Sequence, residues 1–522
     1  MGWPLSPRRL EQPILLALAG GLLALLAAAP LVALTAELLS VDPSGVGHLL
    51  SSGRPLELLG GSIALAAAVT AVSLAIGLPL GLLLGRTDVP GRAAALWLHA
   101  FPLFLPPFLL ALGWFDLFGR EGRAGGGLSA GLLFSSAGAI AVLGLALAPA
   151  ITLLVATALQ AIDPSLEEAA LLAGGPWRTA TRILLPLTRP AVVLGGLVVF
   201  SLAFSELGVP MFLRVPAYPA MVFSRLGGVD YAPGEAFALS LPLVVIAFVL
   251  LAVERRVAGR RSFAALGLRS RETPRLGLGR WRWVAAALAW VLAILPLAPI
   301  AALAWRAGPA GFGELPRWVG ASPWNSLVAT VGAATLVLLV AIPIAHAAAR
   351  GLRGGAGLDG LAVLAFLTPA SVLGVGLIGA WNRPETQAIY ASLAIVVVAL
   401  AARYAAIGVR TAAIVFAQSA PHLEEAAAAS GASHLRRLWR IVLPLHSRGL
   451  AAAWLLTALF CLRDLEAAVL IYPAGSEPLT VRIFTLEANG SPAVVAALAC
   501  AQAALVAAAL AVGGLVLLRR RA

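Results

Sequence analysis

The residues of this chain that could do chemistry are few, and their spacing does not suit catalysis. Gly127-Leu128-Ser129-Ala130-Gly131 spells the GxSxG of a serine nucleophile, but no histidine and acid can be identified to activate it. Gly374-Val375-Gly376-Leu377-Ile378-Gly379 spells GxGxxG inside an apolar run, without the strand-turn-helix that would aim backbone N–H groups at a pyrophosphate. Six histidines are scattered without metal-ligand spacing, and those at 422, 434 and 446 read as solvated loop residues. Cys461 and Cys500 lie in apolar stretches and give no disulfide framework. All 37 basic residues are arginine, so neither a phosphate-binding P-loop lysine nor a lysine Schiff base is available. We therefore expect no catalytic residue, no metal site and no cofactor on this chain. Any ATP must be used by another protein.

Composition says where such a chain lives. Of its 522 residues, 60% are hydrophobic and only 12% charged, about half the charge of a typical soluble domain, and mean hydropathy is +0.94. Apolar runs of about 20 residues or more, the length that crosses a bilayer, recur along the sequence. Read between charged and Pro/Gly breaks, they give about twelve spans. These are 13–36, 58–85, 93–118, 130–160, 190–213 and 236–253, then 283–305, 324–349, 358–381, 386–416, 448–472 and 493–518. Each must be a helix, since lipid offers no water to unpaired backbone groups. The first is too long for a signal-peptide core and reads as a retained helix. With the N-terminus in the cytoplasm, 26 arginines fall in cytoplasmic segments and nine on the other side. This bias puts both termini inside, and it accounts for the net charge of +13 without a nucleic-acid partner.

The chain is also a duplication. Ser62, Pro79 and Arg86 match Ser326, Pro343 and Arg350 at an offset of 264. Phe104-Leu105-x-Pro107 matches Phe366-Leu367-x-Pro369 at 262. Two parallel halves of six spans result, 1–253 and 283–522, joined by an Arg/Gly-rich cytoplasmic linker at 254–282. Gly77, Gly81 and Gly85 form a small-residue ladder suited to close helix packing.

The most informative repeat lies in equivalent cytoplasmic loops. LEEAALLAGGPWRTATRILLPL at 166–187 corresponds to LEEAAAASGASHLRRLWRIVLPL at 423–445. Pro164 and Pro421 suit a helix start, Asp163 can cap it, and the alanines favour helix. Gly174 and Gly431 can end the helix in the left-handed conformation, and Pro186 and Pro444 mark the turn into the next span. Each loop thus reads as a short helix, a bend and a second helix, over 163–186 and 420–444. Both resemble the EAA loop of ABC-importer permeases. The second copy matches at Glu425, Ala426, Ala427, Gly431, Ile441, Leu443 and Pro444. The first matches at Glu168, Ala169, Ala170 and Gly174, while Ile183, Leu185 and Pro186 arrive one residue early.

That resemblance implies an all-α polytopic membrane protein of about 12 transmembrane helices in a tandem 6+6 duplication, the type I ABC importer (MetI-like) permease fold. It implies coupling residues in both loops, a homodimeric cytoplasmic ABC ATPase as partner, a periplasmic or extracellular solute-binding protein, and a multi-pass location in the bacterial inner membrane, among lipid. The second half's LRDLEAAVLIYPAGSEPLTVRIF at 462–484 resembles the ferric-iron-type permeases most, which points to ferric iron or its chelate as solute. Thiamine or another small organic solute is the alternative. From another class, an ion-gradient-driven 6+6 secondary transporter would need central acids, of which Asp116 is one. Glu206 and Asp464, at matching positions and each followed by leucine, are the pathway candidates. Counted from Pro190, Glu206 stands about 24 Å up its helix, which puts both acids at the outer mouth.

Overall fold

Runs this apolar satisfy their backbone only within themselves, and long helices are what results. The computed structural model describes residues 7–40, 53–227, 233–258 and 276–518. Among these there is no strand, only an isolated bridge between Thr87 and Leu276. Ten helices are long and apolar enough to span a membrane, or twelve if each of two sharply bent pairs counts as one. In chain order these are α1 (Glu11–Ala36), α2 (Gly53–Arg86), α3a and α3b (Arg92–Phe104, Pro107–Phe118), α4 (Ser136–Gln160), α5 (Trp177–Ser205) and α6 (Gly234–Val257). The second half contributes α7 (Gly279–Val319), α8 (Ser322–Ala349), α9a and α9b (Gly355–Leu367, Ala370–Trp381), α10 (Ala394–Ala417), α11 (His434–Leu462) and α12 (Pro492–Val516).

Four spans depart from their expected form. The third and ninth, expected as continuous helices at 93–118 and 358–381, are each broken, by 102° and 108°. The breaks fall at the repeated Phe-Leu-x-Pro. Proline forces the residue before it out of the helical region and lacks the N–H to continue the ladder, yet it starts a new helix well. The fifth and eleventh end early, at Ser205 and Leu462, rather than at 213 and 472. Beyond them the chain continues as short helices, Gly208–Phe212 and Tyr218–Gly227 in one half, Ala468–Ile471 and Leu479–Glu487 in the other. Matching serines hold these fragments: Tyr218 N–H donates to Ser62 Oγ and Leu479 N–H to Ser326 Oγ, both at 2.8 Å.

Each half is built around three helices, α2, α4 and α5 or α8, α10 and α11. The glycine ladder lets α2 and α4 touch. A Cβ on Gly77 would lie 2.6 Å from Ile151 Cβ, and one on Gly81 2.7 Å from Val155 Cβ. In the second half the corresponding positions are Ala341, Ala345 and Ala349, and on the facing helix Gly408 approaches Val337 instead. The GxGxxG run serves packing too, with Gly374 against Leu470 and Gly376 against the Pro30 carbonyl. The first span of each half crosses over: α1 packs on α8 and α9, while α7 packs on α3. The linker expected at 254–282 is helical at its start, because Glu254 is buried against Arg410 and the preceding helix runs on to Ala258. Its central part and the last arginines lie outside the described residues.

The glycine ladder gives a direct test. Gly81→Leu must push α2 off α4 and should destabilise the protein by about 1–3 kcal/mol. Gly61→Leu, where an added Cβ meets nothing within 4 Å, should not. Thermal unfolding in detergent, read by size exclusion, compares the two.

Candidate functional site

Both repeated loops form the helix-bend-helix element that their sequences suggest. Asp163 Oδ1 accepts from Ser165 N–H at 2.9 Å, turning the chain into a helix that begins at Pro164. The second copy has a helix His422–Ala429 closed by Gly431 at φ +83°, with Ala432 N–H donating back to the Ala427 carbonyl at 2.9 Å. In the first copy the residue with positive φ is Gly175, extended at φ +73° and ψ 176° in a conformation open to glycine, and not Gly174 in the left-handed cap expected. The reason is the missing residue. Its second helix begins directly after the bend, whereas Ala432 and Ser433 intervene before His434 in the other copy. From Pro176 and from His434 onward the two are in register: Ile183 and Pro186 correspond to Ile441 and Pro444, each 258 residues apart. A π-turn occupies the same place in both, Ala180–Leu184 and Leu438–Val442. The deletion is absorbed in the bend.

Adjacent glutamates on a helix point about 100° apart, and the two loops use this identically. Glu168 and Glu425 face outward, as do Ala169 and Ala426, while Ala170 is buried and Ala427 half-buried. Leu172, Trp177, Leu423 and Trp439 are also exposed. The inner glutamates, Glu167 and Glu424, pair with Arg86 and Arg350 at the ends of α2 and α8. Both elements therefore lie at one end of the molecule. That end also carries the described end of the linker, through Leu276 on Thr87, and α1, whose Glu11 accepts from Leu435 N–H at 2.9 Å.

The second pair is embedded in a polar cluster. Arg350 Nη2 donates to Glu424 Oε1 at 2.7 Å and to Ser419 Oγ at 3.1 Å. His346 Nε2 lies 2.9 Å from Glu424 Oε2, and His446 Nε2 2.9 Å from Ser419 Oγ. His434 stacks edge-on against His346. His434 and His446 are buried, not solvated as expected, because the polar groups of the second loop need partners inside the fold; His422 alone of the three is exposed, beside Glu425. Ser129 Oγ bonds the Gly126 N–H and carbonyl, which makes it a helix cap.

The pathway candidates are brought close to one another, and both are enclosed. Glu206 and Asp464 are both buried and line one small cavity with Arg403, Tyr404, Arg463 and Glu466. Arg403 stands nine residues, about 14 Å, into the 24-residue α10, so the cluster sits well inside the bundle. The rise counted from Pro190 stands, since that helix is unbroken to Ser205; what the count did not show is that Arg403, Tyr404, Arg463 and Glu466 cover both acids. Each acid also caps the next helix in the same way: Glu206 Oε1 accepts from Val209 N–H at 3.2 Å, and Asp464 Oδ1 from Ala467 N–H at 2.9 Å. Arg403 pairs with Asp464 at 3.3 Å and with Glu466. Glu466 then crosses to the other half, accepting from Ser205 Oγ at 3.0 Å and Leu207 N–H at 3.2 Å. Neither Glu466 nor the two Arg–Glu pairs of the loops was singled out from sequence. The available signal was that Arg403 and Arg463 lie within spans and must find acids there.

Glu424 sets a pH prediction. Burial pushes its carboxyl up, but hydrogen bonds from His346 and Arg350 outweigh this and hold it down to about 2, against an ordinary 4.5. The ionised form thus stabilises the fold fully above about 4.5, and that contribution is lost as pH falls toward about 2. Thermal midpoints of wild type and Glu424→Gln should differ by a constant amount near neutrality and converge below about pH 4.5.

Residues 77–262 match the family model of the binding-protein-dependent transport system inner membrane component. The chain is 25% identical over 484 residues to the ferric transport system permease protein FbpB of Actinobacillus pleuropneumoniae, covering 86% of this chain and 69% of that one. A putative ferric transport system permease protein FbpB 1 of Haemophilus influenzae is 26% identical over 471 residues, covering 83% and 73%. The molybdenum transport system permease protein ModB of Escherichia coli is 28% identical over 204 residues, 37% of this chain and 89% of that one. Residues 77–262 thus carry the domain of binding-protein-dependent transport permeases, within an all-α chain of ten to twelve candidate spans that is similar over most of its length to ferric-transport permeases.

Proposed function

We propose that this chain is the membrane permease of an ATP-driven importer for ferric iron or its chelate. The observation that carries the reading is the pair of helix-bend-helix elements, at repeat-equivalent positions and on one end, each with its second glutamate turned outward. Exposed Trp177, Leu172, Leu423 and Trp439 give those elements apolar surface for a protein groove. The arginine bias assigns this end to the cytoplasm, where a homodimeric ATPase would seat one element in each subunit. A solute-binding protein would dock on the opposite face. Hydrolysis belongs to the ATPase; this chain moves.

Two considerations support a cationic solute. The relatives matching over most of the chain are named for ferric transport, while the molybdenum permease matches over about a third. The cluster between the halves holds three carboxylates (Glu206, Asp464, Glu466) against two arginines, a balance that favours a cation over an oxyanion. Arg403 holds two of the acids, which leaves Glu206 as the carboxylate to meet solute when the halves part. Glu206, with Asp464 behind it, is then a pathway residue. Asp116, the acid an ion-gradient mechanism would recruit, is held by Arg306 at 2.9 Å and Arg123 at 3.3 Å, which argues against the secondary-transporter reading.

Proteoliposomes containing this chain, its ATPase and its binding protein should take up ferric iron with ATP and no ion gradient; uptake that needs a gradient and ignores ATP would refute the proposal. Gly431→Pro and Glu425→Lys should each reduce uptake by about tenfold or more while membrane insertion is retained. Unchanged uptake in both would refute the coupling role. Glu206→Gln should lower iron uptake with ATP hydrolysis continuing, and iron uptake at the wild-type rate would remove Glu206 from the pathway.

A further inference from the structure

The outward glutamates of the two loops face a partner, but something must carry its force into the membrane helices. In each half the neighbouring glutamate points inward and meets an arginine at the end of the half's second span. Arg86 and Glu167 are 1% and 0% exposed, and Arg350 and Glu424 are 13% and 12% exposed. The four residues are repeat-equivalent, and each arginine stands just past the small-residue face that locks its helix to the next, α2 to α4 through Gly85 and α8 to α10 through Ala345.

We propose that Arg86–Glu167 and Arg350–Glu424 are matched anchors that make α2 and α8 follow the coupling helices when these are displaced. This rests on the coupling reading above. A buried ion pair is a poor device for stability alone, since well-packed apolar side chains of similar size serve as well or better. Its distinct property is directional: apolar contact resists being pressed together but slides or parts readily under tension, whereas opposite charges held in a low-dielectric interior resist being drawn apart. A lever pushed in one half of a cycle and pulled in the other needs both.

The surroundings of the two anchors differ, which separates the shared feature from its context. Glu424 is also held by His346, and Arg350 by Ser419; at the corresponding places in the first half stand Leu82 and Ile162. Only the Arg–Glu pair is common to both. From Arg350 the route inward is short. The helix α8 packs along α10, whose Arg403 holds Glu466 against Ser205 and Leu207 of the other half. Displacement of α8 carries the second-half side of that contact with it. The anchoring residues are positioning residues; they touch no solute.

The test uses the assembled transporter in proteoliposomes. Arg350→Ala and Glu424→Ala should each lower the iron carried per ATP hydrolysed by about tenfold, and the double variant should lose no more than either single. Wild-type ratios in the singles, or losses that multiply to about a hundredfold in the double, would overturn the proposal. A second measurement needs neither variant. Spin labels at Leu339→Cys on α8 and Ser430→Cys at the end of the second coupling helix, with Cys461 and Cys500 changed to alanine, should keep their separation within about 2 Å between nucleotide-free and ATP-trapped states. Labels at the repeat-equivalent Ala173→Cys and Ser430→Cys should meanwhile move relative to one another. A changing 339–430 distance would sink the anchors and leave the coupling reading intact; a fixed 173–430 distance would sink the coupling reading and the anchors with it.

Discussion

Inside an apolar bundle every interruption of a helix frees backbone groups that only the protein can satisfy, and this constraint organises the molecule. The chain interrupts its third, fifth, ninth and eleventh spans, and at each break a polar side chain stands ready. Ser205 Oγ accepts from Ala370 N–H at 2.9 Å across the halves, at the start of α9b. Ser62, Ser326, Glu206 and Asp464 do the same for the short helices that follow α5 and α11. The Gln502 amide donates to the Leu462 carbonyl at 2.9 Å where α11 ends. The acids that drew notice as pathway candidates are thus helix caps first.

The same constraint explains why charge in the interior comes in clusters. An isolated arginine in α10 would be costly, but Arg403 is surrounded by Asp464, Glu466, Tyr404 and Ser205. Those partners come from both halves, so the cluster ties them together while it is closed. Arg463, one residue before Asp464, instead donates to the Leu103 carbonyl, beside the break in the third span. Breaks and charges therefore support one another, and the place where the helices are least regular is where the halves are most specifically joined.

Duplication has preserved this framework more closely than the surface around it. The repeated serines accept from the same backbone positions and the repeated arginines meet the inner glutamates in both halves, whereas three buried histidines surround the second loop and the first loop is one residue shorter. The one-residue difference is harmless to helix register because the bend takes it up: Gly175 adopts an extended positive-φ conformation, and the following helix keeps its length up to Pro186. A one-residue deletion within that helix would instead have rotated Ile183 and Pro186 by about 100°.

Much was legible from the sequence. Hydropathy marked the order of the apolar helices, since such runs must satisfy their backbone within the protein, and self-comparison marked the repeated loops. The residues marked by that comparison, among them Ser62, Arg86 and Pro107, proved to be those that hold broken helices and loops in place. What sequence could not supply was partnership. That Arg86 meets Glu167, that Arg403 draws Glu466 against Ser205 and Leu207, and that α1 lies on the opposite half all depend on contacts between residues 60 to 420 positions apart. Enclosure was missed for the same reason: a residue count gives the rise along a helix, but not which neighbours cover the side chain at its end. Local chemistry determined the elements, and tertiary packing decided which charges could afford to be buried, because a buried charge is tolerable only where its partner arrives.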